Sequence, residues 1–302
     1  MTSSASSPAG APGRSWSTRL SAALHARPRL RLAGLLSIPG AWLLVAYLGS
    51  LAVMFAAAFW SVDSFTGQLL RQFTLDNLRT LATEDVYRTI ALRTLGIAAA
   101  VTVLDVLLAV PMAFYMAKVA SRRARVYLVV AVLTPLWASY LVKAYAWRGL
   151  LSPEGLLTDV LRPFGLSSPG YGIVAVTLTL AYLWLPYMIL PIYAGLDRLP
   201  DSLLEASADL GGGAWRTFRS VVLPLAFPAI VAGSIFTFAL SLGDYITVRI
   251  VGGTTQMAAN VIYDNIGVAN NLPFAAAAAL FPVGVIIVYL VLVRRTGALD
   301  NL

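Results

Sequence analysis

Chemistry in a polypeptide needs side chains that can ionise, attack or ligate, and this sequence holds few of them away from its ends. It has no cysteine, which removes disulfides, thiolate metal sites and cysteine nucleophiles. Its one histidine, His25, lies in a basic N-terminal stretch, so histidine triads and multi-histidine metal centres have no parts to be built from. Two acids stand in apolar surroundings. Asp105 falls near the middle of a long apolar run, where an ionised carboxylate costs at least ~2.5 to 3.5 kcal/mol on insertion scales. A permeant cation would offset that cost, and so would a partner such as Lys143 or a hydroxyl such as Thr102. Asp244 and Tyr245 close a second run, with Arg249 shortly after. An acid and an aromatic at a helix mouth can hold an amine; Asp244 and Arg249 can equally form an interfacial ion pair.

The polar device that interrupts the apolar runs is the stretch LLEASADLGGGAWRTFRSVVLP, Leu203 to Pro224. Ser202 and Glu205 have the S-x-x-E spacing of a capping box, so a helix is expected to start there. Gly211, Gly212 and Gly213 stop it after about two turns, because glycine enters the left-handed closing conformation most readily. Trp215, Phe218, Val221 and Val222 then recur at helical spacing until Pro224, giving helix, glycine hinge, helix.

At these residues the chain resembles the membrane-spanning permease subunits of ABC importers. Their signature reads E-A-A, three residues, G, nine residues, I-x-L-P. It is matched here by Glu205, Ala206, Ser207, Gly211, Val221, Leu223 and Pro224. Ser207 replaces the second alanine and Val221 the isoleucine; every spacing is kept. In the family the short helix docks in a groove of a cytoplasmic ATPase, so the resemblance makes these seven residues the expected ATPase-coupling site. An ordinary amphipathic linker is the alternative.

Composition agrees with a membrane location. Hydrophobic residues are 59% and charged residues 12% of 302, against roughly 25% charged in soluble domains. The net charge of +8 sits beside apolar segments rather than on a globular face, which argues against nucleic acid and for topology.

Residues 1–30 are rich in Ser, Ala, Pro, Gly and Arg with no acid and read as a disordered tail. Apolar runs follow at Leu35–Trp60, Ile90–Ala117, Val126–Trp147, Ile173–Leu196, Leu225–Leu242 and Phe274–Val293. Each is long enough to span hydrocarbon, so six spans are expected in a permease domain over 31–296, with the coupling loop at 197–224 and a tail at 297–302. Lys and Arg concentrate in the N-terminal tail, after span two (Lys118, Arg122, Arg123, Arg125), in the signature loop and at the C-terminus. The intervening connections hold fewer, namely Arg71, Arg79, Arg88, Arg148, Arg162 and Arg249. The positive-inside rule then places both termini and the signature loop in the cytoplasm. The opposite connections, Ser61–Tyr87, Gly149–Gly172 and Asp244–Pro273, are too short for independent domains.

The stretches Leu133–Gly149 and Leu240–Gly253 narrow the resemblance to the permeases of polyamine-type importers, across most of Thr74–Val293. One departure is Arg93-Thr94, where those permeases usually have Asn-Thr. The expectation is an all-α integral membrane protein with the type I ABC importer permease fold and a cytoplasmic coupling helix. It implies a multi-pass protein of a prokaryotic plasma (inner) membrane that translocates a small organic solute, a polyamine such as spermidine or putrescine, by alternating access. Implied partners are two ATPase subunits, a second permease, an extracytoplasmic solute-binding protein and membrane lipid, with no nucleic acid and no cofactor. Asp105, Trp137, Tyr140, Asp244 and Tyr245 are the candidate pathway residues, although aromatics at a membrane interface are as commonly anchors. No G-x-x-x-x-G-K-[ST] run exists, so hydrolysis is expected from a separate subunit. The rival is an ATP-independent channel or ion-coupled carrier. It would not need a capped helix on its largest cytoplasmic loop, and a carrier usually has several intramembrane ionisable residues.

Overall fold

The computed structural model describes residues 28–63 and 66–295; the expected tails up to residue 27, with His25, and over 297–302 lie outside the described residues. Two compact units result, residues 1–56 and 57–302. In the first, α1 (Pro28–Trp42), a π-helical turn (Leu43–Leu48) and α2 (Gly49–Ala57) form an apolar rod. Its apolar side chains stay almost entirely exposed, as suits a helix with no polar face. Pro28, Arg29 and Leu30, inside the stretch expected to be tail, are already helical.

The second unit opens with a two-stranded hairpin, β1 (Ser61–Val62) and β2 (Leu69–Leu70), and a short helix α3 (Asp76–Thr83). Its core is made by three long helices: α4 (Asp85–Phe114), α8 (Ile173–Asp197) and α11 (Leu223–Leu242). On α4 the buried positions Ile90, Thr94, Ile97, Val101, Asp105 and Ala109 recur every three or four residues, so one continuous stripe faces the partners. Small residues let the backbones close. A Cβ on Gly233 of α11 would lie 2.8 Å from Met188 Sδ on α8, the kind of approach that replaces hydrophobic driving force inside lipid. A fourth helix, α14 (Leu272–Arg295), packs Val285, Ile286 and Tyr289 against Ala98, Phe238 and Leu242.

Among the described residues, five helices are long and apolar enough to cross a membrane. The sixth expected span, Val126–Trp147, is not continuous. It is divided into α5 (Arg122–Trp137) and α6 (Tyr140–Leu151), which meet at 96°, so the count reaches six only if the bent pair is one span. Ala138 and Ser139 are extended, with ψ 141° and 134°, just after Pro135. Hydropathy could not show this break, because the residues on both sides are apolar; the backbone turns nonetheless, and α6 carries Lys143 and Arg148 away from the line of α5. The connections expected to be turn-rich hold further short helices: α7 (Leu156–Leu161), α12 (Ile246–Val251) and α13 (Ala258–Gly267). Buried Thr94 ties one of them down. Its hydroxyl donates to Ile90 O at 2.7 Å and accepts from Ala258 N–H at 2.9 Å.

Candidate functional site

Polar residues gather at two places, the Gly-rich loop and the opposite end of the helix core. In the loop, α9 (Ser202–Asp209) is followed by α10 (Ala214–Thr217), a π-helical turn (Phe218–Val222) and α11 without interruption. The helix lies where the spacing of Ser202 and Glu205 places it, but the capping box does not form. Asp201 precedes the helix and makes no side-chain cap bond, because its carboxylate is taken by Lys118 Nζ at 2.7 Å. The amides of Leu204 and Glu205 instead donate to Asp201 O at 2.9 and 3.1 Å. The Glu205 side chain is left exposed, and no side-chain hydrogen bond or ion pair engages it among the described residues.

The glycine stop forms as expected. Gly211 has φ +78°, Gly211 N–H donates to Ala208 O at 2.9 Å and Gly212 N–H to Ser207 O at 2.8 Å, the paired closing bonds of a left-handed helix cap. Ser207 then does more than stand in for alanine. Its hydroxyl meets Thr217 Oγ1 at 2.8 Å and so joins the two helices across the hinge. At the far end of the signature, Pro224 has no amide, and the preceding turn widens so that Leu223 N–H bonds Phe218 O, five residues back. Val221 lies in that turn, and Leu223 and Pro224 start α11. Leu204 and Phe218 pack against the core, whereas Leu210 is 88% and Trp215 72% exposed. The device therefore presents Glu205, Leu210 and Trp215 outward from a base that is fixed on both sides.

At the opposite end, Tyr140, Trp184, Asp244 and Tyr245 line a cavity of about 300 Å³. Asp244 accepts from the Tyr140 hydroxyl, from Thr247 N–H at 2.8 Å and from Thr247 Oγ1 at 3.2 Å. All these donors are neutral. They hold the carboxylate in place without cancelling its charge, and Asp244 has no ion pair among the described residues. Tyr140 stacks on Trp184 at 6.0 Å between centroids, and Tyr245 on Tyr263 at 4.6 Å. The pairing of Asp244 with Arg249 is not found. Arg249 binds Asp264 and lies 4.4 Å over the Tyr263 ring instead, both on α13.

Asp105 is not on this cavity. It is fully buried, and neither carboxylate oxygen has a partner among the described residues. Neither proposed partner reaches it: Thr102 Oγ1 donates to Ala98 O at 2.8 Å, and no ion pair of Lys143 is present among the described residues. Trp137 also stays off the cavity, 90% exposed at the break between α5 and α6. The structure thus brings together Tyr140, Asp244 and Tyr245 and separates them from Asp105 and Trp137. Trp184 completes the cavity wall, Thr247 holds Asp244, and Thr217, Lys118 and Arg125 complete the loop; sequence reasoning gave Lys118 and Arg125 only a topological role and passed over the others. Thr217, just past the glycines, and Thr247, three residues after Asp244, carried local signals. The others contact residues far along the chain.

Residues 100–295 match the family model described as binding-protein-dependent transport system inner membrane component. The chain is 43% identical over 309 residues to the inner membrane ABC transporter permease protein YdcU of Escherichia coli (strain K12), covering 96% of this chain and 97% of that one. It is 31% identical over 212 residues to the spermidine/putrescine transport system permease protein PotB of Haemophilus influenzae, covering 68% and 73%. Among solved structures, a chain of a bacterial ABC transporter involved in the import of the acidic polysaccharide alginate matches with TM-score 0.69 at 17% identity, over 92% of this chain and 98% of that one. That likeness establishes a shared fold. With the signature residues folded into the outward-facing device described above, the chain belongs to the binding-protein-dependent transport system inner membrane components, the multi-pass permease subunits of ABC importers, close to the polyamine-type permeases, whose ATP hydrolysis lies in separate subunits.

Proposed function

We propose that this permease carries a small organic cation, a polyamine such as spermidine or putrescine, inward across the membrane. The observation that carries this reading is Asp244, a carboxylate with neutral donors only, in a cavity walled by Tyr140, Trp184 and Tyr245. A negative charge left uncancelled beside aromatic faces attracts an ammonium group through Coulomb and cation–π terms, and contact with it need not be tight enough to prevent release. An anionic cargo would meet repulsion there. The spermidine/putrescine permease among the relatives supports the same class.

In this reading the loop 197–224 faces the cytoplasm with both termini, and Glu205, Ala206, Ser207, Gly211, Val221, Leu223 and Pro224 form the ATPase-coupling site. Exposed Glu205, Leu210 and Trp215 dock in a groove of the ATPase as a short helix does in helix-in-groove recognition. Two ATPases, a second permease and an extracytoplasmic binding protein complete the importer. Closure of the ATPase pair shifts α9, and because α10, the π-turn and α11 are one unbroken helical segment, the shift reaches the membrane core as a rigid-body motion. Asp105, off the cavity, acts within the bundle rather than on cargo. The test is ATP-driven uptake of labelled putrescine by the reconstituted importer, challenged with unlabelled polyamine and with a small dicarboxylate. Competition by the polyamine alone supports the reading; competition by the dicarboxylate alone overturns it.

A further inference from the structure

The C-terminal side of the coupling device is joined to α11 through continuous helix, but its N-terminal side is not joined to anything by helix. The segment Arg198–Asp201 between α8 and α9 is a turn, with Leu199 N–H bonded to Leu196 O at 3.2 Å. What fixes this side is a pair of basic residues from a distant part of the chain. Lys118, in the π-helical turn Tyr115–Val119 that ends α4, donates to Leu199 O at 2.6 Å and to Asp201 Oδ1 at 2.7 Å. Arg125, in the first turn of α5, donates to Asp197 Oδ1 at 2.8 Å and returns to Ala117 O at 2.7 Å. Both cations thus meet the C-terminal end of α8, where unsatisfied carbonyls favour positive charge.

Burial distinguishes the two partners of the central ion pair. The Lys118 side chain is 8% exposed and that of Asp201 76% exposed. A pair with one fully hydrated member contributes little to folding, and a stem as long as lysine loses rotamer freedom when it is buried. Fold stability is therefore a poor account of why Lys118 reaches in to this position. Geometry gives a better one. Lys118 is on the same helical segment as Asp105, thirteen residues further on (118 against 105), which is about 20 Å at 1.5 Å per residue. A displacement of Asp201 with the coupling helix is passed to the end of α4, and α4 is stiff along the whole distance to its buried stripe.

We propose that Lys118, seconded by Arg125, is a positioning residue: a strap that transmits displacement of the coupling helix to α4, in parallel with the covalent route through α11. The proposal rests on the reading of loop 197–224 as the ATPase-coupling site. It makes α4 and α11 move together, and without the strap only α11 is driven.

The experiment uses the assembled importer in proteoliposomes, with ATP hydrolysis and putrescine uptake measured on the same preparation for wild type, Lys118→Met, Lys118→Arg, Asp201→Ala and the Lys118→Met/Asp201→Ala double variant. Lys118→Met should assemble with the ATPase and hydrolyse ATP at the wild-type rate, while putrescine carried per ATP falls at least about fivefold, the lower end of what coupling between sites supplies. Lys118→Arg should restore it. The double variant should lose no more than either single one, as residues acting through one contact are non-additive. Unchanged uptake per ATP in Lys118→Met overturns the proposal, as does a parallel loss of hydrolysis and uptake, which marks a merely structural residue. Failure of the coupling-site reading itself appears separately, as wild-type ATPase affinity in Glu205→Ala.

Discussion

The hydroxyls of Ser207 and Thr217 meet at 2.8 Å across the glycine turn, so the position where the family signature has alanine here carries the bond that closes the hinge. Thr217→Val or Ser207→Ala removes one partner of a partly buried hydrogen bond, which costs about 0.5–1.5 kcal/mol. The expected outcome is a loosened α9 with normal membrane insertion, read as faster amide exchange over 203–213 in the free permease and unchanged exchange once the ATPase is bound.

Gly211→Ala forces a side chain into φ +78°, a conformation that disfavours non-glycine residues by about 1–2 kcal/mol. Glu205→Ala removes the exposed carboxylate without straining the backbone. Both variants should insert and fold, and both should bind the ATPase about five- to thirtyfold more weakly, a loss of about 1–2 kcal/mol. Co-purification yield and a binding isotherm measure it; wild-type affinity in Glu205→Ala would remove that residue from the coupling site.

Asp244→Asn keeps the shape of the carboxylate and removes its charge. Polyamine uptake should fall by about tenfold or more, the scale of a lost charge-assisted contact, with ATPase association intact. Because Arg249 pairs with Asp264, adding Arg249→Gln should not restore it, and the two defects should add. Restoration in the double variant would show that Asp244 and Arg249 are partners in the membrane. Tyr140→Phe is the companion test: it deletes one neutral donor to Asp244 and should weaken uptake by about 1–3 kcal/mol in transition-state terms without altering topology.

The strap should be insensitive to pH over the physiological range. Lys118, by its hydrogen bond first and its charge second, holds Asp201 below the ordinary carboxylate value, with a smaller contribution from Arg125. A depressed carboxylate contributes above its unfolded-state value, about 3.9, and the contribution is lost only as pH falls through the depressed one. Uptake per ATP should therefore stay level from about pH 8 to pH 5; a step within that window would point to another group.

Reporter fusions check the membrane orientation. A reporter after Arg162 and one after Leu302 should give opposite signals, because basic residues cluster on the side of the signature loop. The same signal from both would require the three crossings between them, α8, α11 and α14, to be replaced by an even number.

What could be read from the residues was whatever is local. The glycine stop, the helix before it and five of the six apolar runs follow from backbone preference and hydropathy, and the fold keeps them. What could not be read depends on contacts between distant segments. Ser202 and Glu205 have the spacing of a cap, yet Asp201 and Lys118, eighty-three residues apart, decide how that helix starts. Asp244 and Arg249 are near in sequence, yet α13 offers Arg249 both a carboxylate and an aromatic face. The break at Ala138–Ser139 is a change of two ψ angles within a run whose hydropathy does not vary. In the first two cases a tertiary partner overrode a local rule.

The break has a consequence for the lipid. With α6 turned by 96°, α5 by itself has sixteen residues from Arg122 to Trp137, or about 24 Å at 1.5 Å per residue. The hydrocarbon layer is about 30 Å thick, and the first turn of α5 carries Arg122, Arg123 and Arg125, which shortens the apolar length further. Such hydrophobic mismatch is relieved by thinning the bilayer beside the short helix. A crossing made by α5 would thus thin the lipid beside it relative to that beside α4 or α14, so acyl-chain length would act as a mechanical input at the bend.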